Sequence, residues 1–106
     1  MALRLVCLDG HADISLDRDV VVVGRHQWCD ARIYSPRVSR RHCCLALGRD
    51  GVLVRDLGST NGTRINGQRV DQGVLRPGDE LSIAHCRYHL EGSPALACEP
   101  VRPGDD

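Results

Sequence analysis

The chain has 106 residues, 42% of them hydrophobic, and 14 basic side chains matched by 14 acidic ones for a formal charge of zero. That length suits one compact domain, and the neutral sum excludes the broad basic surface of a general nucleic-acid or membrane-surface binder. With one Trp, two Tyr and no Phe, the core must be mostly Val, Leu and Ile, and a reader of single strands that stacks bases is disfavoured. Every basic residue is Arg, and with abundant Ala, Gly and Asp this suits a high-GC bacterial genome. No apolar run reaches the ~18 to 20 residues of a membrane helix. Met1 to Leu8 has neither the basic start nor the cleavage site of a secretory signal, so a cytoplasmic protein is expected.

In chain order, Leu3 to Leu8, Ile14 to Leu16 and Val20 to Val23 read as strands. Cys43 to Leu47 and Val52 to Val54 flank Gly48-Arg49-Asp50-Gly51, a tight hairpin. Asn61-Gly62 and Asn66-Gly67 are turn dipeptides, because both residue types tolerate positive φ. Pro77-Gly78-Asp79 turns the chain into Glu80 to Ala84, and Arg87 to Leu90 follows. Many short strands with turns between them predict an all-β sandwich or barrel. From residue 93 to 106, Pro and acidic residues replace the alternation, which marks a tail or linker after a domain of residues 1–92.

The charge is unevenly distributed along this plan. Residues 20 to 42 carry Arg25, Arg32, Arg37, Arg40 and Arg41 against Asp30 alone, a net charge of +4 between acidic ends. In and after that stretch come Gly24-Arg25, Ser39-Arg40-Arg41-His42, the run Gly58 to Thr63 and Asn66-Gly67. Guanidinium forks, hydroxyls and turn N–H groups together form a kit for binding an anion. The Asn61 amide both donates and accepts, so it can pair with the backbone of an extended peptide.

These motifs, with Asp56-Leu57 before them and Leu75, Gly78-Asp79 and Leu81-Ser82-Ile83 after, resemble the signature of the forkhead-associated (FHA) domain. The resemblance covers roughly residues 3 to 91. It implies a β-sandwich of about eleven short strands whose loops at one end bind a phosphothreonine peptide. Arg25, Ser39, Arg40, Thr60 and Asn61 would then contact the ligand: Arg25, Ser39 and Thr60 the phosphate, Asn61 the peptide backbone, with Arg40 adding a backbone or guanidinium contact. Gly24, His42, Gly62, Asn66 and Gly67 would shape or brace the loops, His42 by internal hydrogen bonds. The implied partner is a phosphorylated protein, a Ser/Thr kinase or its substrate, with no cofactor, no nucleic acid and no membrane.

Each assignment has a plainer counterpart. Turn geometry alone accounts for Gly24, Gly62 and Asn66-Gly67, and Ser39 and Thr60 could be capping hydroxyls. Bulky His26-Gln27-Trp28 follows Arg25, and covering the core is the favoured role for Trp28 over shaping a peptide groove. The six Cys, at 7, 29, 43, 44, 86 and 98, include no C-x-x-C spacing and are expected to be small buried thiols. An enzyme is not expected: His42 and Cys43 are neighbours that a strand would turn to opposite faces. His85 and His89, placed in one strand, would stand about 13 Å apart, too far to share a metal. Thr60 and Thr63 are the only Thr residues, so capture of the chain's own phosphorylated tail is not expected. The alternative is an FHA-like scaffold that binds an unphosphorylated protein surface.

Overall fold

The computed structural model describes residues 3–92, and the tail of residues 93–106, with Cys98, lies outside the described residues. Eleven strands form in chain order: β1 (Leu3–Cys7), β2 (Ile14–Leu16), β3 (Val20–Gly24), β4 (Ala31–Arg32), β5 (Cys43–Leu47), β6 (Val52–Asp56), β7 (Thr63–Ile65), β8 (Gln68–Arg69), β9 (Gln72–Leu75), β10 (Glu80–Ile83) and β11 (Cys86–Glu91). They build two sheets, ordered β2-β1-β11-β10-β7-β8 and β4-β3-β5-β6-β9. Pairing is antiparallel except between β3 and β4. Among the described residues no helix is long and apolar enough to cross a membrane.

Alternation of apolar and polar positions makes this a sandwich. Val52 and Val54 of β6 point inward while Leu53 and Arg55 point out, and β11 repeats the pattern with Cys86, Tyr88 and Leu90 inside. Each sheet can therefore bury one face against the other. Leu5, Val23, Leu45, Val54, Leu81 and Tyr88 fill the space between them. The expected aliphatic core is present, with one aromatic residue, Tyr88, among its largest side chains.

Register decides which loops meet. Val23 at the end of β3 pairs with Cys43 at the start of β5, and Cys43 pairs with Asp56 at the end of β6. In the other sheet Thr63, at the start of β7, pairs with Ile83 at the end of β10. The loops leaving β3, entering β5 and joining β6 to β7 consequently share one end of the sandwich. The β10–β11 turn stands at that end too, as does the loop after β1, since Cys7 pairs with Tyr88.

Four expectations need correction. Trp28 is 84% exposed and covers no core; with Leu57, Val22 and Cys29 it lines a surface groove. His85 lies in the β10–β11 turn rather than in a strand with His89. Asn66 (φ 51) and Gly67 (φ 84) form the turn between β7 and β8, at the end of β7 away from Thr63, so they shape no loop of the gathered end. Of the pair Asn61-Gly62, only Gly62 takes positive φ.

Asn66 also closes a second connection, because its Oδ1 accepts the Glu80 N–H at 2.9 Å at the start of β10. Replacing Asn66 with Ala removes that bond and puts a β-carbon without local hydrogen bonding in the left-handed region. Urea denaturation should show a loss of about 1–2 kcal/mol.

Candidate functional site

Five arginines, four in loops and Arg32 at the end of β4, crowd the gathered end, and their charge is not cancelled locally. Asp30, the lone acid of the basic stretch, is turned away: it accepts from Arg18 Nη1 and from the Val22 N–H, each at 2.9 Å. Among the described residues, Arg25, Arg32, Arg37, Arg40 and Arg41 form no ion pair. Arg25, Arg32 and Arg40 line one pocket of about 290 Å³ with His26 and Gln27. Three guanidinium groups around one opening repel each other unless an anion lies between them.

Arg25 is aimed rather than free. Its Nε donates to the Val38 carbonyl at 3.0 Å and its backbone N–H to the Ser39 carbonyl at 3.0 Å. Both terminal nitrogens of the fork remain for a ligand. Arg32 fixes the same residue from the other side, donating from Nε to the Arg25 carbonyl at 2.8 Å, while its guanidinium lies 4.5 Å over the Tyr34 ring.

Ser39 and Thr60 are joined directly. The Ser39 hydroxyl oxygen accepts the Thr60 N–H at 3.1 Å, which leaves the hydroxyl hydrogen to donate outward. Asn61 donates from Nδ2 to the Arg37 carbonyl at 2.7 Å, so its Oδ1 and second N–H remain available. The exposed Arg40 side chain faces the pocket while its carbonyl turns inward, accepting the His26 N–H and the Cys29 thiol, each at 3.1 Å. Burial pushes the Cys29 thiol up, which keeps its proton on sulfur for that bond. A β-carbon on Gly24 would stand 2.1 Å from the same carbonyl oxygen, so only glycine allows this approach.

His42 ties the loops together and is fully buried. Its Nδ1 accepts the Ser39 N–H at 3.1 Å and its Nε2 donates to the Gly62 carbonyl at 2.8 Å, a tautomer that follows from those two partners. Its backbone N–H bonds Val23 and its carbonyl accepts from Leu57. Both ring nitrogens are thus committed to the backbone, which fits a brace.

A second clamp was not singled out from the sequence, beyond the Asp56-Leu57 motif. Asp56 Oδ1 accepts from the Ser59 and Thr63 hydroxyls at 2.5 and 2.7 Å, and Oδ2 from the Gly58 and Ser59 N–H groups. Ser59 Oγ in turn accepts the Gly62 N–H. Burial raises the Asp56 pKa, yet these donors outweigh it and hold the carboxyl below its ordinary 3.8. The spacing of an Asp three residues before a Ser could have revealed the clamp. In the sequence Arg32 and Arg37 stand out only as charge, since both position their neighbours through backbone carbonyls.

Comparisons with known proteins agree with this fold. A family model described as FHA domain matches residues 21–84. The chain is 40% identical over 72 residues to the glycogen accumulation regulator GarA of Mycobacterium tuberculosis, covering 68% of this chain and 44% of that one. It is 34% identical over 84 residues to the proliferation marker protein Ki-67 of Mus musculus, covering 78% of this chain and 3% of that protein. It spans less than half the length of either relative. A domain solved for the structural and functional analysis of phosphothreonine-dependent FHA domain interactions superposes with TM-score 0.80 at 29% identity, over 89% of this chain and 99% of that one. The N-terminal FHA domain of S. cerevisiae Rad53p, in complex with a phosphothreonine peptide, superposes with TM-score 0.77 at 26% identity, over 91% and 97%.

Two outcomes check this framework. Gly24→Ala should cost at least about 2 kcal/mol in urea denaturation, because backbone must move to admit the β-carbon. For Asp56 the folded pKa is depressed, so the ionised carboxylate contributes stability above pH 3.8 that is lost as the pH falls through the depressed value. Asp56→Asn should therefore be less stable than the parent at neutral pH, with the gap narrowing below pH 3.8. A gap that stays constant with pH would contradict the ionised clamp.

Proposed function

We propose that this chain, which belongs to the FHA domain family, is a phosphothreonine-dependent recognition module for protein–protein contacts in Ser/Thr kinase signalling. The observation that carries this reading is the unpaired guanidinium cluster beside the outward-facing Ser39 hydroxyl. A phosphoryl group brings a charge of about −1.5 to −2 and three acceptor oxygens. Arg25, already anchored through Nε, offers its terminal nitrogens to two of those oxygens. Ser39 and Thr60 present hydroxyls to the phosphate, and Arg32 and Arg40 add charge around it. Asn61, with an acceptor and a donor left over, pairs with both polar groups of one ligand peptide unit.

Pre-organisation makes the site useful. Arg25, Ser39 and Asn61 each hold a hydrogen bond to the protein before any ligand arrives, so little rotamer freedom is left to lose on binding. A scaffold for an unphosphorylated surface would have no use for clustered, unneutralised arginines. The domain acts by binding rather than catalysis, needs no cofactor, and takes as partner a phosphorylated protein, a kinase or a kinase substrate. It works in the cytoplasm, where kinases consume ATP and where thiols such as the five free cysteines described stay reduced.

The test begins with a degenerate phosphothreonine peptide library, followed by calorimetric titration of the selected peptide in phosphothreonine, phosphoserine and unmodified forms. The phosphothreonine form should bind tightest and the unmodified form not measurably. Equal affinity for all three would sink the proposal. A hydrogen bond to a charged group contributes about 1.5–3 kcal/mol, so Arg25→Ala should weaken binding by about tenfold or more while circular dichroism stays unchanged.

A further inference from the structure

The gathered end carries a second constellation that plays no part in phosphate binding. His11 in the loop after β1, His85 in the β10–β11 turn and Cys86 at the start of β11 bring one ligand atom each within 4.8 Å of one another. We propose that these three side chains bind a late transition-metal ion of zinc type. One thiolate and two imidazoles are the donor set such ions prefer.

Two features of the backbone create the cluster. Successive side chains in a strand face opposite ways, but Ala84 at φ 56 turns the chain just before His85. His85 Nε2 and Cys86 Sγ consequently lie 4.0 Å apart despite being neighbours in sequence. Around a tetrahedral zinc with Zn–S ≈ 2.3 Å and Zn–N ≈ 2.0–2.1 Å those atoms would be about 3.6 Å apart, so closing onto a metal requires a movement of roughly half an ångström. His11 is held from below: Cys7 Sγ accepts the backbone N–H groups of Asp9 and His11, each at 3.3 Å. The Leu8 N–H donates to the Arg87 carbonyl at 2.8 Å and Asp9 Oδ2 accepts the Arg87 N–H at 2.6 Å, which keeps the loop against β11.

The donors differ in exposure, and burial pushes the Cys86 thiol up, so the metal must displace its proton. Cys86 is buried, His11 half-buried and His85 exposed, which leaves an entry path from solvent and a fourth position for water. On binding, the Cys86 thiol gives its proton to solvent and forms the metal–sulfur bond, and both imidazoles ligate in their neutral form. No electron is transferred. The site lies beside the guanidinium pocket rather than in it: none of the three donors lines the opening of Arg25, Arg32 and Arg40, whereas His85 lines a neighbouring one with Asn61, Arg37 and Arg64.

Cobalt titration of the full chain, kept reduced by a non-chelating reductant, tests the assignment. One equivalent of Co²⁺ should produce the near-ultraviolet thiolate-to-cobalt charge-transfer band with tetrahedral visible bands, and Zn²⁺ should displace it. Cys86→Ser should abolish the charge-transfer band. His11→Ala and His85→Ala, at positions outside the core, should each lower zinc affinity by about tenfold or more, since even partners that only orient a ligand cost 10–100-fold when mutated. No thiolate band at stoichiometric cobalt, or a band and zinc affinity unchanged in either histidine variant, would overturn the site. Cobalt binding by the parent chain is read without any peptide present, so its failure is distinguishable from failure of the phosphopeptide reading.

Discussion

The arrangement of the binding end depends on one buried imidazole. His42 lies where three loops converge, and each ring nitrogen satisfies a backbone group of a different loop, Ser39 N–H on one side and Gly62 carbonyl on the other. Leaving such a buried group without a partner costs about 1–3 kcal/mol, so the loops cannot drift apart cheaply. Ser39 thereby keeps its hydroxyl against the Thr60 N–H, and Thr60 and Asn61 take their places relative to Arg25. The groups proposed to face the ligand come from loops far apart in sequence, and the buried imidazole sets their spacing.

Charge is organised by the same logic of occupied and unoccupied partners. A neutral chain can hold a strongly positive opening if its acids are engaged elsewhere. Asp30 is committed to Arg18 and to a backbone N–H, and Asp56 is saturated by two hydroxyls and two N–H groups. Neither can neutralise Arg25, Arg32 or Arg40. The net charge of zero excludes a wide basic surface and leaves room for a local one, which is what a ligand carrying a single phosphoryl group requires.

The longer strands were legible because period-two alternation and turn dipeptides are local signals, as in Val52 to Val54 or around Gly48-Arg49-Asp50-Gly51. The two-residue strands β4 and β8 are too short to show alternation, and only tertiary pairing reveals them. At the site, Arg25, Ser39, Thr60 and Asn61 stood out by residue type and motif, and the structure brings them to one end. Asn66-Gly67 was read correctly as a turn but belongs to the other end of β7, a matter of register that no dipeptide encodes. Trp28 departs from the expected core cover because size favours burial only where the backbone points inward, and here the ring is exposed. His85 was misread because the φ of Ala84 breaks the strand geometry that separated it from its neighbours.

On the proposed function, a phosphorylated threonine docks on the Arg25, Ser39, Thr60 and Asn61 face and nowhere else on the sandwich. Backbone amide resonances followed during titration with a phosphothreonine peptide test it most directly. The largest shifts should fall on Arg25, Ser39, Thr60 and Asn61, with those of Asn66, Gly67 and the β5–β6 hairpin unmoved. Shifts concentrated at that opposite end, or spread evenly over both sheets, would contradict the claim.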